Sequence, residues 1–191
     1  MRILQINETC GTGSIGRTTE EFAKFLESHG HESHVFYASG QPTFPHSTRI
    51  GNTLDHKAHA LLSRITGKQG YFSKLATLQA LRKLKKLNPD LVHLRNLHGN
   101  YIHLGMLLRY LAKNRIPTVI TLHDCWFMTG KCTYYIGAGC QKWQTCCNHC
   151  PLLKVDQVNP TWFFDRTRKC YLDKKRWFGM IPKLAVVGVS Q

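Results

Sequence analysis

Apolar residues fall into short continuous runs that alternate with longer stretches of helical period along the 191 residues. Residues 2–7 (RILQIN) read as a strand, a glycine loop follows, and residues 18–30 set Phe22, Phe25 and Leu26 on one helical face before Gly30 stops the helix. Residues 33–38 predict a second strand, and the polar segment 39–52, with Pro42 and Pro45, predicts a loop. Helices are expected at 54–65 and 73–87, the second carrying Lys74, Arg82, Lys83, Lys85 and Lys86 around Leu75, Leu78, Leu81 and Leu84 and ending at Asn88-Pro89. A strand at 90–94, a helix at 101–114 and a nearly continuous apolar strand at 116–122 come next. An aromatic and basic helix from about residue 163 to 177 and a last buried strand at 183–189 complete the pattern. This alternation predicts an α/β fold with a doubly wound, mostly parallel sheet, whose polar residues gather at the carboxyl ends of the strands. The last strand leads to no further element, so the chain is expected to be the first domain of something longer.

The first strand, loop and helix contain Gly11-Thr12-Gly13-Ser14-Ile15-Gly16-Arg17, which spells G-x-G-x-x-G. Backbone N–H groups at such a turn face an anion, and Arg17 adds a fixed positive charge. A dinucleotide fold also wants an acidic residue at the end of the second strand, yet no Asp or Glu occurs between Glu32 and Asp55. NAD is therefore not expected. A glycine turn needed only for tight strand-to-helix packing is the competing account.

Charge narrows the partners. Lysine and arginine number 26 against 11 acidic residues, a formal net charge of +15, and the pI is about 9.7. Such a surface favours an anionic partner: nucleic acid, an acidic membrane face or a phosphate-bearing ligand. The 73–87 helix either lies against anionic lipid or presents an ordinary solvated face. Nucleic acid is not the expected partner, because the aromatic and basic segment matches no recognised module and an aromatic face packed on the sheet accounts for it more simply. The N-terminus has no signal-peptide pattern and no 18-residue apolar run occurs, so the expected location is the cytoplasm, with possible peripheral contact at the inner membrane face.

Six of the eight cysteines lie between His123 and Pro151: Cys125, Cys132, Cys140, Cys146, Cys147 and Cys150. In a reducing compartment such clustering points to metal or redox chemistry rather than disulfides. Cys147-x-x-Cys150 is one pair at knuckle spacing, and Gly137 and Gly139 let the chain between Cys132 and Cys140 fold back. A structural zinc held by Cys132, Cys140, Cys147 and Cys150 is the expectation, with His149 as a substitute ligand. Reduced cysteines packed in a loop, or a redox pair, are the alternatives. A catalytic metal is not expected, because four sulfurs leave no open position. Cys10 and Cys170 read as small buried residues.

The run LVHLRNLHGNYIHLGMLLRYLAKNRIPTVITLHDCWFMTGKCTYY, followed by GCQKWQTCCNHCP, resembles the N-terminal domain of bacterial GT-B glycosyltransferases of family 4, notably those of capsular, colanic-acid-like and other surface polysaccharides. MRILQIN with GTGSIGR fits the same family's first strand and loop, so the likeness covers essentially residues 1–191, with the cysteine-rich insert at 125–151. The resemblance implies one Rossmann-like half of a GT-B fold: the acceptor-binding half of a retaining enzyme that moves a sugar from a nucleotide sugar to a glycan or polyprenyl-diphosphate-linked acceptor. The C-terminal nucleotide-sugar domain is absent from this sequence, and the chain alone is expected to be inactive.

On this reading Gly11, Gly13 and Gly16 face donor diphosphate or acceptor and Arg17 neutralises phosphate. His123 contacts the transferred sugar or an acceptor hydroxyl, Asp124 fixes its tautomer or positions the acceptor, and His98 is a second cleft residue. For each histidine the competing account is a hydrogen-bonded residue at a strand end. No carboxylate stands out as a nucleophile. The competing functional readings are a non-enzymatic, zinc-containing basic domain that binds nucleic acid or anionic membrane, and an oxidoreductase using the glycine loop or the cysteines.

Overall fold

The structure, a computed structural model, describes residues 1–156 and 158–189. Its elements are β1 (Arg2–Cys10), α1 (Gly13–Ser28), β2 (Glu32–Gly40), β3 (Ser47–Arg49), α2 (Thr53–Thr66), α3 (Lys74–Leu87), β4 (Leu91–Leu94), α4 (Leu104–Lys113), β5 (Thr118–Leu122), α5 (Thr167–Gly179) and β6 (Leu184–Gly188). The six strands run in the order β3-β2-β1-β4-β5-β6 and every pairing is parallel. This is the Rossmann-like order, and its reversal point falls between β1 and β4. The sheet is thus wholly, not mostly, parallel among the described residues.

Strand alternation sorts the two faces. Leu4 and Ile6 of β1, Val92 and Leu94 of β4 and Ile120 of β5 join one core with Leu104, Leu107, Leu108 and Leu111 of α4, Ala80 and Leu84 of α3 and Trp177 of α5. The opposite face of β1 is polar where α1 crosses it. Gln5 Nε2 donates to the Thr19 carbonyl at 3.1 Å and Asn7 Nδ2 to Thr19 Oγ1 at 3.0 Å, so these buried amides are satisfied by the helix. Asn7 Oδ1 in turn accepts the Asn96 N–H at 3.0 Å, tying β1 to the loop after β4 across the reversal point.

Several expected positions move. Helix α1 starts at Gly13, five residues ahead of expectation, and buries Gly16, Thr19, Glu20, Ala23 and Leu26 rather than Phe22 and Phe25, which are 37% and 53% exposed. Helix α3 likewise buries Ala76, Thr77, Ala80 and Leu84 and turns Leu75 and Leu78 outward at 76% and 42% exposure. In both helices close approach to the neighbouring layer selects the smaller side chains. The loop at 39–52 contains β3, a three-residue edge strand paired with β2. Helix α5 begins at Thr167, and of the expected aromatic face Tyr171 and Trp177 are buried while Trp162, Phe163 and Phe164 are exposed. Cys10 and Cys170 are buried, as anticipated. No helix among the described residues is long and apolar enough to cross a membrane.

Candidate functional site

Three parallel strands deliver polar side chains to one edge of the sheet, the place where open α/β sheets carry their sites. Glu8 lies near the end of β1, Arg95 to Gly99 follow β4, and His123 and Asp124 follow β5. His98 is the centre of the group. Its Nε2 lies 2.8 Å from Asp124 Oδ2 and its Nδ1 lies 3.6 Å from Glu8 Oε2, so the ring is bracketed by two carboxylates. Nδ1 is buried and has no hydrogen-bond partner within reach. Gly99 makes room for this arrangement, since a Cβ there would meet Glu8 Cδ at 2.4 Å.

The electrostatics follow from the bracket. Burial works against a charged His98 ring, but the hydrogen bond and charge of Asp124 and the charge of Glu8 outweigh it and raise the ring's pKa. Burial likewise opposes the Asp124 charge, and the His98 bond with the Trp126 N–H at 2.8 Å reverses that, holding the carboxyl below its ordinary range. The two form a hydrogen-bonded histidine–carboxylate pair in which each partner favours the charged form of the other.

His123 behaves differently. Burial and the neighbouring Arg95 lower its pKa, with Asp124 opposing. Arg95 Nε donates to His123 Nε2 at 3.2 Å, which requires a lone pair there, so the proton of the neutral ring sits on Nδ1. Arg95 is itself buried and braced by Gln5 Oε1 at 3.3 Å. Asp124 therefore orients His98, and the residue that fixes the His123 tautomer is Arg95, a correction to the pairing expected from the adjacent His-Asp sequence.

The glycine loop opens beside this group. Gly11, at φ +72°, closes the turn through its N–H to the Gly16 carbonyl at 3.0 Å, and a Cβ there would lie 2.4 Å from the Gln41 carbonyl oxygen. Gly13, at φ +68°, is exposed with open space around it, whereas a Cβ on buried Gly16 would press into Thr9 at 2.9 Å. Gly16 thus serves strand-to-helix packing. Thr12 precedes the helix without a side-chain cap, and no acidic residue occupies the first turn, so its N–H groups remain available to an anion. Arg17 is exposed one turn along.

Beneath the cleft, Lys174 of α5 is buried with its ammonium 4.0 Å from the Trp126 ring centroid and bonded to the Trp126 carbonyl. Burial pushes its pKa down to about 8. A cavity of about 720 Å³ lies elsewhere, against the sheet face beside α1. It is walled by Phe22, Phe25, Leu91, Val119 and Val187 and shares only Arg95 with the cleft, so its size does not mark the chemistry.

The cysteine-rich insert leaves directly from Asp124. Cys132, Cys140, Cys147 and Cys150 line one small cavity, and Cys125 and Cys146 do not. All eight cysteines are free thiols. Burial raises the pKa of Cys132 and Cys147, and pushes the Cys150 thiol up to about 11. Among the described residues no three His, Cys, Asp or Glu side chains stand at metal-binding geometry.

Glu8, Arg95 and Lys174 were not anticipated. Glu8 and Arg95 carry the signal that identified His98, a polar residue at the carboxyl end of a predicted strand. Lys174 carries none, being one of several bases on a basic helix.

The fold is one Rossmann-like half of the GT-B type, with its histidine–carboxylate group and glycine loop at the carboxyl ends of the strands. Residues 15–149 match the family described as Glycosyltransferase Family 4, and the chain belongs to that family. A putative colanic acid biosynthesis glycosyl transferase WcaC of Escherichia coli (strain K12) is 26% identical over 180 residues, covering 83% of this chain and 43% of the relative. The chain therefore spans less than half the length of that curated relative.

Proposed function

We propose that this chain is the acceptor-binding half of a retaining glycosyltransferase acting on a surface-polysaccharide or lipid-linked glycan acceptor. The observation that carries the reading is the bracketed His98: a ring held between Asp124 and Glu8 at the carboxyl edge of the sheet, beside neutral His123. This arrangement suits a sugar: His123, with Nε2 taken by Arg95, presents Nδ1–H as a donor to an acceptor oxygen, and the half-buried Glu8 carboxylate accepts from a hydroxyl. The Gly11–Gly13 turn, the uncapped start of α1 and Arg17 supply donors for a diphosphate, either of the acceptor or of a nucleotide sugar held mainly by a second domain. The membrane-facing part of the proposal rests on α3, where exposed Leu75 and Leu78 share a face with Arg82 and Lys85.

The test is acceptor binding separated from turnover. Saturation-transfer NMR with a water-soluble polyprenyl-diphosphate glycan should show contact with the wild-type protein, weakened at least tenfold in D124N, while the 191-residue chain alone forms no product with a nucleotide sugar. Tight binding of the nucleotide sugar with no acceptor contact would overturn the assignment to the acceptor side, and steep salt-dependent DNA affinity would favour the non-enzymatic reading.

A further inference from the structure

The glycosyltransferase reading leaves unused the cavity lined by Cys132, Cys140, Cys147 and Cys150. We infer that it is a structural zinc site with those four thiolates as its ligands. The inference stands apart from the acceptor reading and concerns what holds the insert together.

Selection is the first support. The insert contains six cysteines, and the fold turns four of them toward one cavity of about 20 Å³. That volume admits a single ion. Adjacent Cys146 and Cys147 point apart: the Cys146 thiol donates to the Cys147 carbonyl at 3.7 Å, and the Cys147 sulfur accepts the Gly130 N–H at 3.2 Å.

The second support is how the knuckle is built. His149 adopts φ +41°, a left-handed conformation that turns the chain back inside Cys147-x-x-Cys150. Lys142 Nζ clamps this turn through the carbonyls of Asn148 at 3.1 Å and His149 at 2.8 Å, and Asp165 Oδ2 takes the Cys150 N–H at 2.7 Å. Gly130 is required at the opposite wall, because a Cβ there would meet the Thr167 carbonyl at 2.6 Å and Cys147 Cβ at 2.9 Å.

Charge is the third support. Binding takes one Zn²⁺ and four thiols to four Zn–S bonds and four released protons, leaving a centre of net charge −2. Lys131 and Lys142 both line the cavity and supply two compensating positive charges. Among the described residues no group of three His, Cys, Asp or Glu side chains is metal-ready as placed. The shared cavity identifies the ligands; Zn–S bonds of about 2.3 Å draw them together, since metal sites of this kind close on binding.

The full chain, purified without chelator, should contain about one zinc per molecule by elemental analysis. C132S, C140S, C147S and C150S should each lose most of it, while C125S and C146S keep it. Because loss of a ligand can unfold the insert, cobalt substitution of the wild-type chain provides an independent readout. Intense visible bands with sulfur-to-cobalt charge transfer are expected for four thiolates in a tetrahedron. Zinc below about a tenth of an equivalent, a weak octahedral cobalt spectrum, or a loss in C146S equal to that in C147S would overturn the site.

Discussion

His98 sits between two opposing forces: burial disfavours its charge, and two carboxylates outweigh the burial. Removing one carboxylate should therefore let burial win. In D124N the His98 pKa should fall by roughly 1–3 units, read from the ring's NMR titration; an unchanged value would mean that Glu8 alone sets it. Because His98 is raised in the folded protein, its stabilising contribution is complete below the ordinary histidine value of 6.5 and is lost as pH rises through the folded value. Asp124 is depressed, so its contribution is complete above 3.8 and is lost as pH falls through the folded value. The stability gap between wild type and H98Q should thus peak between those two ordinary values, at roughly 1.5–3 kcal/mol by urea denaturation across pH. The two histidines and Asp124 were visible in the sequence because they end predicted strands. Their pairing was not, because it joins β4 to β5 and β1, and neighbours in sequence say nothing about neighbours across a sheet.

Among the elements, α1 and α3 show why apolar spacing gave the helices but not their buried faces. Phe22, Phe25, Leu75 and Leu78 lie at helical spacing with Leu26 and Leu84, yet only the last two are buried, and the packed stripes are filled out by Gly16, Ala23, Ala76 and Ala80, whose small side chains bring helix and sheet close together. A periodicity weighted by hydrophobicity favours the large residues and so centres the stripe to one side of the buried face, catching Leu26 and Leu84 but not their small neighbours. Close approach has a measurable counterpart at Gly105 of α4, where a Cβ would come within 2.6 Å of the buried Trp177 ring. G105A should lower stability by about 1–3 kcal/mol in chemical denaturation. Gly179, with nothing within 4 Å of its added Cβ, should tolerate alanine with little change. At α3, replacing Leu75 and Leu78 with serine should weaken binding to anionic vesicles severalfold without lowering the melting temperature, which co-sedimentation and calorimetry together would show.

Across the whole molecule the strand–helix alternation was legible because a parallel sheet needs apolar strands and a helix between each pair, and both leave long signals. Short β3 and the irregular insert leave almost none. The net charge of +15 should make any vesicle association fall steeply with salt, and binding indifferent to anionic lipid content would remove the membrane part of the proposal. The insert also has a mechanical consequence. The chain departs from the cleft at Asp124, Asp165 joins Cys150 to the start of α5, and α5 returns Lys174 to the carbonyl of Trp126, whose N–H is held by Asp124. Both ends of the excursion are therefore fastened to the same tryptophan, on the floor of the cleft. The insert acts as a closed bracket rather than a pendant loop, and slack introduced at its far end will be transmitted to the carboxylate that aligns His98.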